Sequence, residues 1–111
     1  MNDAKLFIGG QHVAASDAKT TQRMDPVTGA VATQFACASV SDAVAAVDAA
    51  SQAFPAWSAT SPAHRREVLS KAADILVART PDFVDAMQSE IGGTAGWAGF
   101  NVMLASQMLR E

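Results

Sequence analysis

The chain has 111 residues and a mass of 11.5 kDa, which is material for one domain and not two. A chain of this size buries on the order of 65% of its extended surface, so a core is within reach, and a composition half apolar and 17% charged excludes disorder. The net charge of -3, a pI near 5.2 and the lack of any basic run longer than Arg65-Arg66 argue against nucleic acid or an anionic membrane as a partner.

The single cysteine, Cys37, rules out an internal disulfide framework and fits a reducing compartment. Met1-Asn2-Asp3-Ala4-Lys5 lacks the basic start and apolar stretch of a signal peptide, and no window nears about 18 uninterrupted apolar residues. A cytoplasmic protein is expected.

Lys5-Leu6-Phe7-Ile8 is strand-like, Gly9-Gly10 suits a two-residue hairpin turn, and Gln11-His12-Val13 reads as the return strand. Residues 14 to 21 are small and polar, a loop without an apolar anchor. Asp25, Pro26 and Gly29 then supply the chemistry of a second turn: a side chain that accepts backbone hydrogen bonds, a preset φ and a left-handed residue. Gln22-Arg23-Met24 and Ala30 to Phe35 flank it as a second hairpin.

From Ser39 the apolar period changes from two to 3.6, with Val40, Ala43, Val44, Val47, Ala50 and Phe54 on one face. Ser39 as N-cap with Asp42 three residues on makes an acidic capping box, so a helix is predicted over 40–54, ended by Pro55. Ser61-Pro62 starts a second helix with the stripe Val68, Leu69, Ala72, Ile75 and Leu76. Thr80-Pro81 starts a third, carrying Phe83, Val84, Met87 and Ile91 and stopped by Gly92-Gly93. A fourth helix begins near Thr94. Its pattern still runs at Glu111 with no stop signal, so the chain is expected to be cut rather than finished. The fold class is α+β: two N-terminal β-hairpins over 1–38, then four α-helices over 39–111, in a single segment of 1–111.

Few of these residues promise chemistry. Cys37 has no Lys, Arg or His beside it along the chain to activate a thiolate. His12 and His64 are far apart and lack partners at metal-ligand spacing, so no metal site is expected. Asp82, Asp85 and Glu90 read as the wet side of the third helix. Gly92, Gly93, Gly96 and Gly99 follow a helix, whereas a dinucleotide fingerprint follows a strand; they are expected to end one helix and let the next pack closely. Trp97 and Asn101 stand at i, i+4 on the fourth helix, with Leu104 and Met108 continuing that face. An amide inside an apolar stripe needs a partner. Two readings stay open: Trp97 and Asn101 line a small-molecule pocket, or Trp97 is core and Asn101 a satisfied amide.

Taken in order, Phe7-Ile8-Gly9-Gly10-Gln11, Asp25-Pro26-Val27-Thr28-Gly29-Ala30-Val31, Ser41 to Ala50, Ala53-Phe54-Pro55-Ala56-Trp57, Ser61 to Arg66 and Leu69 to Asp74 resemble the opening of an NAD(P)-dependent aldehyde dehydrogenase. Gly96-Trp97-Ala98-Gly99-Phe100-Asn101-Val102 is similar to the branch acting on aromatic aldehydes, salicylaldehyde dehydrogenases in particular. The resemblance implies that the chain is the N-terminal part of a Rossmann-like α/β enzyme using NAD, with NADP possible. The complete enzyme would oxidise an aromatic aldehyde to the acid, and a homo-oligomer is implied. It also implies that the hairpins edge a small sheet, that helices 40–91 pack on the cofactor domain, and that the fourth helix borders the substrate tunnel.

The family's nucleophilic cysteine, general-base glutamate, oxyanion asparagine and cofactor glycines belong to later segments. Neither Cys37 nor Asn101 sits in those motifs, so no catalytic or cofactor-binding residue is assigned; Trp97 and Asn101 are the substrate-lining candidates. The chain alone is expected to be inactive and to bind no cofactor. The alternative is an independent helical module that binds a protein partner without catalysis.

Overall fold

The computed structural model describes residues 2–111, which group into two compact units. The residues up to Met24, together with Gly29–Ala59, form the first; Asp25–Thr28 and Thr60–Glu111 form the second.

In the first unit, β2 (Leu6–Ile8) and β3 (Gln11–Val13) pair antiparallel, with Phe7 opposite His12. Gly9 and Gly10 have φ of +58° and +79°, the pair of left-handed residues that a tight hairpin with this twist requires. β4 (Thr20–Met24) runs antiparallel to β5 (Val31–Ala36), with a register shift at Arg23/Met24. A strand unforeseen in the sequence, β1 (Asn2–Ala4), adds parallel to β5 and puts β5 in the middle of a three-stranded sheet. The loop before β4 is shorter than expected and has an anchor after all, the buried Ala15.

Helix α1 (Val40–Ser58) starts as foreseen: the Ser39 hydroxyl accepts the Asp42 N–H, and the Asp42 carboxylate accepts the Ser39 N–H in return. Its end is a correction. Pro55 lies inside the helix, which runs one turn further. Proline removes only its own donor, and its carbonyl still accepts from Ser58 Oγ at 3.0 Å and from the Ala59 N–H at 3.3 Å.

In the second unit, α2 (Pro62–Ala78) and α3 (Thr80–Ile91) both pack on α4 (Ala95–Met108). Ser61 caps α2 by accepting the His64 N–H at 3.1 Å, with Pro62 in the first turn. Thr80 is not the cap of α3. Its hydroxyl donates to the Val77 carbonyl at 2.6 Å, closing the end of α2, and α3 has no side-chain cap. Helix α4 stops at Met108, three residues short of the predicted run, where the Leu109 and Arg110 N–H groups turn back to Ala105 and Gln107.

Buried apolar residues are few and small: Ala15 in the first unit, and Ala73, Ala98 and Val102 in the second. Among the described residues no large side chain is fully buried. Complete burial of a Leu or Phe contributes about 1.5 to 3 kcal/mol, and the half-buried Phe35 and Leu76 realise only part of it. The apolar face of α1 is present as predicted but uncovered, with Val40 83% and Phe54 64% exposed.

Candidate functional site

The turn between α3 and α4 fixes how the candidate helix begins. Gly92 caps α3 in the left-handed conformation, φ +68°, and the Gly92 and Gly93 N–H groups donate to Gln88 and Met87. A side chain at Gly92 would meet the ring of Pro26 at 3.1 Å. Thr94 then turns to extended backbone and its hydroxyl accepts the Trp97 N–H at 3.3 Å, starting α4.

Helix α4 buries one narrow line, Ala98, Val102 and Ser106, at the i, i+4, i+8 positions of a single face. The face carrying Trp97, Asn101, Leu104 and Met108 is displaced by one residue from that line and stays open. Trp97 is 56% and Met108 70% exposed, while Asn101 is half-buried. The structure therefore brings Trp97 and Asn101 together but not into a core. The Trp97 indole stacks on Phe100, with ring centroids 5.8 Å apart and planes 27° apart. The amide that needed a partner has one: Asn101 Nδ2 donates to the Trp97 carbonyl at 2.8 Å, one turn back along the same helix.

The glycines do not fit a dinucleotide. Gly92 ends a helix, and Gly96 and Gly99 lie inside the first turns of α4 rather than between a strand and a helix. The close packing expected beside Gly96 and Gly99 is not seen either, since nothing lies within 4 Å of where their Cβ atoms would be.

Asp25 and Asp42 are held in the charged form mainly by backbone donors. The Thr28 and Val27 N–H groups bond Asp25 Oδ1 at 3.0 and 2.7 Å and keep its carboxyl below the usual value. Asp42 is lowered by the N–H groups of Ser39 at 2.8 Å and Ser16 at 3.2 Å. Ser16, Ser39 and Ser41 link their hydroxyls around it. Both arrangements hold the backbone in place: the first is a turn, the second a helix cap that ties down the loop at Ser16. In the second unit, Asp25, Thr28, Asp85, Ser89 and Gly92 help to line an open cleft of about 470 Å³ that no sequence motif signals.

The remaining candidates fall apart in space or are already occupied. Cys37 is exposed, and its N–H donates to the Lys19 carbonyl, a lysine that only the strand pairing brings near it. Lys19 itself pairs with Asp17 at 2.9 Å. The His12 ring lies against Phe7. Asp82 takes the Arg79 guanidinium at 3.0 Å, and that guanidinium also lies over the Phe83 ring. Glu90, expected on the wet side of α3, is half-buried. Among the described residues no three of His, Cys, Asp or Glu converge as a metal would need, and no helix is long and apolar enough to cross a membrane.

Residues 12–111 match the model of the aldehyde dehydrogenase family. The chain belongs to the aldehyde dehydrogenase family. All 111 residues align at 51% identity with a vanillin dehydrogenase from Pseudomonas fluorescens, of which they cover 23%. The crystal structure of a salicylaldehyde dehydrogenase from Pseudomonas putida G7 complexed with salicylaldehyde superposes with a TM-score of 0.96 at 40% identity, over 99% of this chain and 23% of that one. An NAD-dependent benzaldehyde dehydrogenase from Corynebacterium glutamicum gives 0.91 at 29%, over 96% and 23%. This aldehyde dehydrogenase segment thus spans under a quarter of its relatives' length, and its hairpins and helices are part of the aldehyde dehydrogenase fold.

Proposed function

We propose that this chain is the N-terminal portion of an enzyme that oxidises aromatic aldehydes to carboxylic acids with NAD(P)+, cytoplasmic and homo-oligomeric when complete. The observation that carries the reading is the 51% match of all 111 residues to a vanillin dehydrogenase. Support for an incomplete assembly comes from α4, which carries large apolar side chains on every side: Trp97, Phe100, Met103, Leu104 and Met108 all stay exposed around the buried line. A helix apolar all round belongs inside a larger structure. Thiolate attack on the aldehyde and hydride transfer need a nucleophile, a base and a cofactor site, and this chain supplies scaffold and pocket wall instead. Trp97 offers a flat ring to the substrate's aryl group, and Asn101 offers a polar end beside it.

The test is NADH formation from benzaldehyde, by the isolated 111-residue chain and by the complete polypeptide that carries it. The complete polypeptide reduces NAD+ or NADP+; the isolated chain does not exceed a protein-free blank. Activity in the isolated chain, or a complete polypeptide that ignores aromatic aldehydes, would overturn the reading. Sedimentation and urea unfolding of the isolated chain separate the alternative, because an independent module gives a monodisperse species and a cooperative transition.

A further inference from the structure

The hydrogen bond of Asn101 settles more than its own satisfaction. The Trp97 carbonyl is an acceptor only, so the end of the Asn101 amide that meets it at 2.8 Å must be the nitrogen. That fixes which way the amide is turned. Oδ1 is then the other end, and no described residue donates to it. Among the described residues no polar side-chain atom is buried without a partner, so Oδ1 of this half-buried residue is not sealed from solvent. The oxygen is one helical turn from the Trp97 indole on the same face of α4, beside a ring that is itself open and braced by Phe100.

We propose that Asn101 is a specificity-determining residue: its Oδ1 accepts a hydrogen bond from a hydroxyl on the substrate's ring, selecting hydroxyaryl aldehydes over their O-methylated counterparts. The assignment rests on the reading that the face of Trp97 and Asn101 borders the aldehyde. A hydroxyl donates to Oδ1; a methoxy group has no hydrogen to give. The second Nδ2 hydrogen meets a hydroxyl or an ether oxygen alike, so only Oδ1 separates the two. A carboxylate or phosphate on the ring would face the open oxygen with lone pairs and gain nothing there.

The experiment uses the complete enzyme and compares kcat/KM for benzaldehyde and for matched hydroxy- and methoxybenzaldehydes at the ortho, meta and para positions. At the ring position that reaches Asn101, the wild type prefers the hydroxy member by roughly three- to tenfold, the range of one net hydrogen bond. Asn101→Leu, close in size and without polar atoms, brings that ratio to about one, with the loss falling on the hydroxy member of the pair. Asn101→Ser restores part of the preference, because a serine here can donate to the Trp97 carbonyl and still accept; Ser89 already makes such a bond to the Asp85 carbonyl one turn back. A wild type without hydroxy preference at any position would overturn the assignment with no variant needed, even where Asn101→Leu fails to fold. An equal loss on hydroxy, methoxy and unsubstituted rings in Asn101→Leu would overturn it as well, and would make the residue structural. Enzyme that oxidises none of the aromatic aldehydes would instead sink the underlying functional reading.

Discussion

Gly92→Ala is a sharp test of how the candidate helix is set in place. Two costs are read from the structure. The first is backbone: at φ +68° an L-residue is in the left-handed region, which costs about 1 kcal/mol or slightly more. The second is space, since the new Cβ would sit 3.1 Å from the Pro26 ring and 3.4 Å from Val27 Cγ2. A rigid proline ring gives way poorly, and light overpacking of this kind costs about 1 kcal/mol. Together the loss is about 2 kcal/mol of unfolding free energy. Gly93 is the internal control: its φ is not left-handed and nothing lies closer than 3.7 Å, so Gly93→Ala changes stability by less than about 0.5 kcal/mol. Urea unfolding followed by far-UV circular dichroism measures both. Measured against Pro26→Ala alone, Gly92→Ala costs about half as much, because the crowding is gone and only the backbone cost remains. Equal effects of Gly92→Ala and Gly93→Ala, or no effect of either, would refute the argument that Gly92 sets the turn into α4.

Other consequences are measurable. Trp97→Ala in the complete enzyme lowers kcat/KM for aromatic aldehydes about two- to tenfold more than for aliphatic ones, mainly through KM, since an aryl–indole contact adds about 0.5 to 1.5 kcal/mol beyond area; equal losses on both classes would make the indole structural only. Ser39→Ala removes the cap of α1 and costs about 1 kcal/mol, read as a lower urea midpoint at constant slope. Asp25 and Asp42 have folded pKa values below their ordinary 3.8, so their stabilisation is fully present above 3.8 and is lost as pH falls through the lowered folded values. Acid titration of the wild type against Asp42→Asn shows this as a shallower loss in the variant below that pH, and parallel curves would refute it. The isolated chain binds an apolar fluorescent dye strongly through faces such as that of Val40 and Phe54; weak binding would mean that those faces are covered in solution.

Local chemistry made much of this fold readable. Gly9-Gly10, the Asp25 turn, the Ser39 capping box, Ser61-Pro62 and the left-handed Gly92 each act within a few residues, and each appears where the sequence put it. The misreadings come from competition the sequence does not display. Thr80 had two acceptable partners and took the carbonyl behind it. Pro55 removes a single donor, which a helix near its end tolerates. β1 has no pattern of its own over three residues and exists only because β5 has a free edge. The pairing of Trp97 with Asn101 was legible from i, i+4 spacing, but the choice of the Trp97 carbonyl as partner was not, because a side-chain amide serves a backbone or a ligand equally well.

The central claim is that these 111 residues are a working segment of an aromatic aldehyde dehydrogenase. Its most direct test replaces the matching segment of the Pseudomonas fluorescens vanillin dehydrogenase with this chain and follows NADH formation from vanillin and benzaldehyde. A folded chimera is expected that oxidises aromatic aldehydes and whose preference for aromatic over aliphatic ones falls about two- to tenfold on Trp97→Ala. A folded chimera that binds NAD+ yet oxidises no aromatic aldehyde, beside an active parent, would contradict it.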